Sequence, residues 1–145
     1  MKPTRFMTAA LIAGSAPALD GATAAATMAG ATLGETVAVA ADEPIPNLPG
    51  KRLVTLIVDY PAGASSAAHH HAGSAFIYAY VLSGAIRSQV DDEPVRVYRS
   101  GEAWFEKPGA HHRVSANASD AEPARLLAVF ILDAADEQLT TTNPR

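Results

Sequence analysis

The five histidines of this 145-residue chain fall in two clusters, His69–His71 and the pair His111 and His112. Imidazole nitrogen is a preferred ligand of Zn, Fe, Ni and Cu ions, whereas Ca and Mg prefer oxygen. In an extended strand, residues two apart point to the same side, so the first and third histidines of the first cluster can reach one ion. His69 and His71 are therefore predicted metal ligands, and His70 points away from them.

The second cluster supplies a third imidazole, which the two-residue period of a strand selects. His112 shares a face with Val114 and Ala116. His111 and Arg113 share the opposite, more polar face. Because the apolar face is the one expected to look inward, His112 is the predicted third ligand and His111 is placed at the rim.

Three neutral imidazoles with open positions would hold one divalent transition metal, with Fe, Zn, Ni, Cu and Mn as candidates. Candidate catalytic residues near such an ion are Tyr78, Gln89 and Glu106. Tyr78 belongs to a group of aromatic residues suited to lining a pocket, and Gln89 or Glu106 would orient a ligand there. Aromatic residues on strands are more often plain core, so this pattern leaves the catalytic residues open.

The elements that must position these residues are predicted to be short strands. β-Branched and aromatic runs alternate with Gly, Pro and Asp at 53–60, 76–82, 85–90, 95–98, 103–105, 113–116 and 124–132. This spacing predicts an all-β sandwich or barrel. The runs 85–90 and 95–98 form a predicted hairpin, and 126–132, apolar on both faces, is predicted to be a central strand covered on each side.

Composition excludes several classes of function. A net charge of -4, a pI of about 5.6 and the lack of a Lys/Arg cluster argue against nucleic acid or an anionic membrane as partner. The absence of cysteine excludes disulfides, thiolate nucleophiles and cysteine-bound metals. No nucleophile elbow and no phosphate-binding glycine loop is present. A small molecule is the expected partner.

The chain divides into four segments. Residues 1–24 resemble a secretory signal peptide, with Lys2 and Arg5 before an Ala-rich apolar stretch and cleavage near Ala24. Residues 25–50 are predicted to be an Ala/Pro-rich linker or arm, 51–133 the barrel, and 134–145 a polar tail. The mature protein is therefore expected to be periplasmic or secreted, with a core fold that needs nothing before about residue 42.

Two motifs resemble those of a known family. The pattern Gly63-x5-His69-x-His71 with a later Gly84, followed by Gly101-x6-Pro108-Gly109-x2-His112-x4-Asn117, is similar to the two cupin motifs in their usual order. The resemblance, to small single-domain bacterial cupins of the conserved-barrel type, implies a double-stranded β-helix (jelly roll), a mononuclear metal and a homodimer. Cupins usually carry a glutamate ligand where Ala75 or Phe76 stands here, so the resemblance implies three-His ligation.

Three functions fit these residues. The leading hypothesis is a mononuclear three-His metalloenzyme of the oxygenase type that acts on a small molecule. A non-catalytic barrel that binds a small molecule or a metal in the periplasm would need the pocket but no turnover. A lyase or isomerase would use the metal as a Lewis acid and a Tyr or Glu to move protons. The sequence names neither the substrate nor the metal.

Overall fold

The fold is built from two antiparallel sheets in a computed structural model that describes residues 34–142. Ten strands lie within these residues: β1 (Thr36–Pro44), β2 (Lys51–Tyr60), β3 (His69–His71), β4 (Phe76–Ser83), β5 (Ala85–Val90), β6 (Arg96–Arg99), β7 (Ala103–Glu106), β8 (His111–Asn117), β9 (Ala124–Asp133) and β10 (Thr140–Thr142). The strand order is β1-β2-β9-β4-β7 in the first sheet and β10-β3-β8-β5-β6 in the second. The predicted all-β class is confirmed.

The core lies between the two sheets and follows from alternation along their strands. In β2 and β9 every second side chain is buried. The largest fully buried side chains are Val54, Val81, Ile86, Leu132 and Ile77. Each contributes about 1.5–3 kcal/mol to stability through burial of apolar surface. Packing in this core fixes the positions of the strands that carry the histidines.

The predicted hairpin and central strand are both present. Strand β5 pairs with β6 through Ala85↔Arg99 and Ser88↔Arg96. Strand β9 lies in the middle of its sheet between β2 and β4. The side chains on its outer face are half-buried or exposed, and Phe105 on β7 of the same sheet is 63% exposed. The expected cover on both faces is therefore not found among residues 34–142, and the homodimer stays a prediction.

The sheets extend beyond the predicted barrel at both ends. Strand β1, within the expected linker or arm, pairs with β2 from Thr36↔Asp59 to Pro44↔Arg52, so the sheet begins before residue 42. Strand β10, within the expected polar tail, pairs with β3. Both strands lie at sheet edges and are mostly exposed, so main-chain pairing forms them without the apolar alternation that marks a strand in sequence.

The predicted signal peptide, residues 1–24, lies outside the residues that the structure describes. Within residues 34–142 no helix is long and apolar enough to cross a membrane.

Gly84 closes the turn between β4 and β5 in a conformation that excludes a side chain. Its φ is +70°, and a Cβ would lie 2.6 Å from the carbonyl oxygen of Pro123 and 2.8 Å from Ala124 Cα. We expect Gly84→Ala to lower the free energy of unfolding by about 2–4 kcal/mol, since it adds backbone strain and a clash. Urea denaturation measures the loss.

Gly50→Ala is the matched control. Its φ is +78°, but a Cβ there would meet nothing within 4 Å. The free energy of unfolding of Gly50→Ala should therefore fall by only about 1–2 kcal/mol, the strain of a non-glycine residue in the left-handed conformation. Equal losses for the two variants would show that the contact with Pro123 is unimportant.

Candidate metal centre

The structure brings three of the five histidines together inside the barrel. His69 and His71 on β3 and His112 on β8 each place one ring nitrogen within 4.8 Å of the others. The antiparallel pairing of β3 with β8 sets His69 directly opposite His112. His70 and His111 are paired in the same ladder, and their rings stack at 4.2 Å on the other side. The alternation expected within His69–His71 is therefore present.

A β-bulge decides which residues accompany His112 on the inner face. Val90 pairs with His112 and Gln89 with Val114, so β8 advances two residues for one of β5. After His112, the next buried residue on β8 is consequently Ser115, and Val114 is only half-buried. The predicted face shared by His112 and Val114 is wrong, because strict alternation does not continue through a bulge.

The ring nitrogens of the three histidines have different partners. His69 Nδ1 lies 2.8 Å from the carbonyl oxygen of Ala67, so it donates its N–H there and leaves Nε2 as an electron-pair donor. His112 Nε2 is hydrogen-bonded to Ser88 Oγ at 2.9 Å. Both ring nitrogens of His71 are buried without a well-directed hydrogen bond. Buried polar atoms of this kind are costly unless a ligand pairs with them.

A carboxylate adjoins the three histidines. It comes from β7 and not from the position where the family motif usually has its glutamate. Glu106, at the end of β7, is 2% exposed. Its Oε2 lies 2.8 Å from His71 Nε2, and its Oε1 lies 3.5 Å from His112 Nδ1. Trp104 Nε1 donates a hydrogen bond of 3.0 Å to Oε1 and so fixes the carboxylate. Glu106, which the sequence analysis named as a candidate catalytic or ligand-orienting residue, therefore contacts two of the three imidazoles.

The positions where the motif usually places a glutamate serve the fold instead. Ala75 is fully buried in the core, and Phe76 points outward and stacks on Phe105 at 5.7 Å. The sequence does contain a signal for Glu106 as the carboxylate of this site. Trp104 and Glu106 share one face of β7, and a glutamate on the face of a buried tryptophan needs a polar partner inside.

Burial sets the charges of the site. It lowers the pKa of His112 to about 4 and also lowers the pKa of His69, so both imidazoles are neutral at pH 7. Burial alone would raise the pKa of Glu106, but the contact with His71 and the hydrogen bond from Trp104 help to lower it below its usual value. The site therefore combines neutral nitrogen donors with an ionised carboxylate.

The cluster forms part of the wall of a cavity of about 410 Å³ between the sheets. Its other walls are mostly apolar and include Leu56, Val58, Leu126 and Phe130. The acidic Glu35 also lines it, together with five hydroxyl-bearing residues, Tyr60, Ser66, Ser115, Thr140 and Thr142. No lysine or arginine within residues 34–142 does so. The cavity has the size and lining of a small-molecule site.

Two of the candidate catalytic residues lie elsewhere. Tyr78 is on the outer face of the first sheet, with its ring centroid 5.2 Å from that of Phe105. Gln89 donates to the carbonyl oxygen of Glu93 in the exposed turn after β5. Neither lines the cavity, so Glu106 alone of the three candidates reaches it. Sequence reasoning missed Tyr60, because a tyrosine at the end of an apolar strand has the pattern of core.

The similarity to solved structures is one of fold. A protein from Klebsiella pneumoniae with a double-stranded β-helix domain matches with a TM-score of 0.60 and 17% identity, covering 80% of this chain and 90% of that one. The DMSP lyase DddQ from Ruegeria pomeroyi gives 0.51 and 21%, covering 63% and 43%. An oxalate oxidase in complex with glycolate gives 0.53 and 22%, covering 72% and 55%. The chain thus spans about half the length of these two enzymes.

The family itself is shown by sequence. No curated protein matches this chain. The cupin domain family, however, matches residues 56–130, which hold all three clustered histidines and Glu106 and make up more than half of the chain. Together with the two sheets and the double-stranded β-helix neighbour, this match means that the chain belongs to the cupin family.

Proposed function

We propose that this cupin is a metal-dependent enzyme of the oxygenase type, which holds one divalent transition metal at His69, His71 and His112 and acts on a small molecule in the adjoining cavity. The observation that supports the proposal most is the group of three imidazoles, within 4.8 Å of one another, in the wall of a cavity lined mainly by apolar side chains. Such a group has few uses in a protein other than binding a metal.

The residues present fit a cation. Glu106 is an ionised carboxylate in the protein interior, and the neighbouring His69 and His112 are neutral at pH 7. No described lysine or arginine lines the cavity to balance this charge. Because buried polar atoms are costly unless paired, a metal ion would satisfy Glu106 Oε2 and one ring nitrogen of His71.

When bound, the ion would supply a Lewis-acidic centre with positions open to a substrate. The chain's own residues have separate roles there. The Ala67 carbonyl orients the ring of His69, and Trp104 holds the Glu106 carboxylate in place. The Glu106 carboxylate can also accept a proton, and the mostly apolar walls give the substrate an apolar surface to pack against. Iron, zinc, nickel, copper and manganese are all compatible with three imidazoles and a carboxylate.

A lyase or isomerase is the second candidate, and Glu106 is the observation that favours it. A buried carboxylate beside the ligands is suited to moving a proton while the metal polarises the substrate. A non-catalytic binding barrel would use the same cavity without turnover. Oxygen consumption separates the oxygenase from both alternatives.

Oxygen uptake by the metal-loaded protein is the experiment that tests the leading proposal. We expect uptake with at least one member of a panel of thiols, diketones and flavonols, and none with the metal-free protein. An oxygen electrode measures the rate. Substrate conversion without oxygen consumption would identify the lyase or isomerase, and no conversion with retained metal would favour the binding barrel.

Single substitutions test the ligand set. Alanine at His69, His71 or His112 should lower zinc affinity at least about 100-fold, because two imidazoles remain. Glu106→Gln keeps the shape but removes the charge, so we expect a loss of about 10- to 100-fold. His70→Ala is the matched control, since its ring faces the other side, and it should retain its metal by elemental analysis. Equal metal content in all these variants would mean adventitious binding.

We also propose that the protein is exported to the periplasm or beyond. The proposal is supported by the basic Lys2 and Arg5 before an apolar Ala-rich stretch. Cleavage near Ala24 would remove Lys2, Arg5 and Asp20 and change the formal net charge from -4 to -5. Intact-mass measurement of protein from a periplasmic extract should give the shortened chain, whereas a full-length mass found only in the cytoplasm would contradict export.

A further inference from the structure

Three hydroxyl groups lie close together in the cavity wall, apart from the three clustered histidines. Tyr60 Oη lies 2.9 Å from Ser66 Oγ and 2.7 Å from Ser115 Oγ. Tyr60 ends β2, Ser66 lies in the connection to β3, and Ser115 is on β8, so three separate parts of the chain contribute. Tyr60 is 2% exposed and Ser115 4% exposed. We call Tyr60, Ser66 and Ser115 the hydroxyl subsite.

A count of protons shows what the hydroxyl subsite offers to a ligand. Three hydroxyls carry three protons, and the two hydrogen bonds among them use two. Burial raises the pKa of Tyr60 despite the opposing hydrogen bonds of the two serines, so the phenol stays protonated at pH 7. One O–H donor and several lone pairs are therefore left over. This inventory matches an uncharged oxygen or amide group better than an ion.

The hydroxyl subsite is held in place by the main chain around it. Ser66 N donates to the carbonyl oxygen of Ser115 at 2.9 Å. The buried side chain of Asn117 donates to the carbonyl oxygens of Pro61 and Glu122 at 3.0 and 2.7 Å. The segment that follows Tyr60 is thus tied to β8 and to the turn before β9. Preorganised donors lose little entropy when a ligand binds.

The charges lining the cavity point to a neutral ligand. Glu35 and Glu106 are acidic, and no described lysine or arginine lines the walls. With a divalent cation bound, these formal charges sum to zero. An anionic ligand would find no arginine to pair with beyond the metal, whereas an uncharged one leaves the balance undisturbed.

We propose that the hydroxyl subsite binds the uncharged polar group, a carbonyl, amide or hydroxyl, of a substrate whose body is apolar. The body packs against the apolar wall that includes Leu56, Val58 and Phe130. This inference rests on the proposed function in two respects, that the cavity is where the substrate binds and that a divalent cation balances the two carboxylates. It favours neutral, largely apolar molecules over small dianions as substrates.

A pair of probes of equal shape tests the proposal. Phenylacetamide and phenylacetate differ in an amide against a carboxylate, and both are small enough for a cavity of about 410 Å³. Calorimetric titration of the zinc-loaded protein should give at least about tenfold tighter binding of phenylacetamide. Tighter binding of phenylacetate, or no binding of either probe, would overturn the proposal.

Variants assign the selectivity to the hydroxyl subsite. Tyr60→Phe removes one hydroxyl, and a hydrogen bond worth about 1 kcal/mol predicts a loss of about fivefold in phenylacetamide affinity. Ser66→Ala, at a half-buried position, should cause a loss of similar size with less effect on folding. Tyr80→Phe is the control, because Tyr80 lies on the outer face of the sheet near Tyr78 and does not line the cavity. This variant should bind both probes as the wild type does.

Two further measurements separate this proposal from the proposed function. If Tyr60→Phe and Ser66→Ala bind phenylacetamide as tightly as the wild type, with unchanged melting temperatures, the hydroxyl subsite is structural only and the proposal is wrong. Repeating the titration on metal-free protein tests the subsite alone. Retained selectivity in a protein that binds no zinc would support the hydroxyl subsite while rejecting the metalloenzyme.

Discussion

The architecture of this protein depends on keeping a negative charge inside an apolar barrel. Within residues 34–142 the Glu106 carboxylate, which is 2% exposed, has the imidazoles of His71 and His112 and the Trp104 indole as polar contacts. Two of the three imidazoles, those of His69 and His112, are held neutral by the same burial that makes the carboxylate costly. His71 makes the closest imidazole contact with Glu106, at 2.8 Å from Oε2, and this pair joins β3 of one sheet to β7 of the other. The β3–β8 pairing and the packing of the two sheets therefore assemble the site together.

The part of the site that could be predicted from sequence is the part governed by simple alternation. Within His69–His71 the two-residue period is intact, so the inward residues were identified correctly. On β8 the bulge opposite Gln89 and Val90 changes the phase, and the sequence carries no mark of it. His112 does lie with His69 and His71 as expected, but Val114 was placed on the wrong face and Ser115 was missed.

The fold was predictable for a related reason. Interior strands must alternate or be apolar throughout, and β2, β4, β5 and β9 do so. Edge strands β1 and β10 are stabilised by main-chain hydrogen bonds on one side, which almost any sequence can make. Glu106 was a candidate for the site, but its direct contact with His71 and His112 was not predicted, because long-range contacts such as that between β7 and β3 depend on the packing of two sheets.

Strand β1 has a mechanical consequence for how molecules enter and leave the interior. It pairs only with β2, its ladder is interrupted by a bulge between Val39 and Ala41, and its residues Val37 and Val39 belong to the cavity wall. An edge strand opens at a smaller free-energy cost than a central one, since fewer contacts are lost. Fraying of β1 would therefore widen this side of the cavity without breaking the pairing of β3 with β8, which belong to the other sheet.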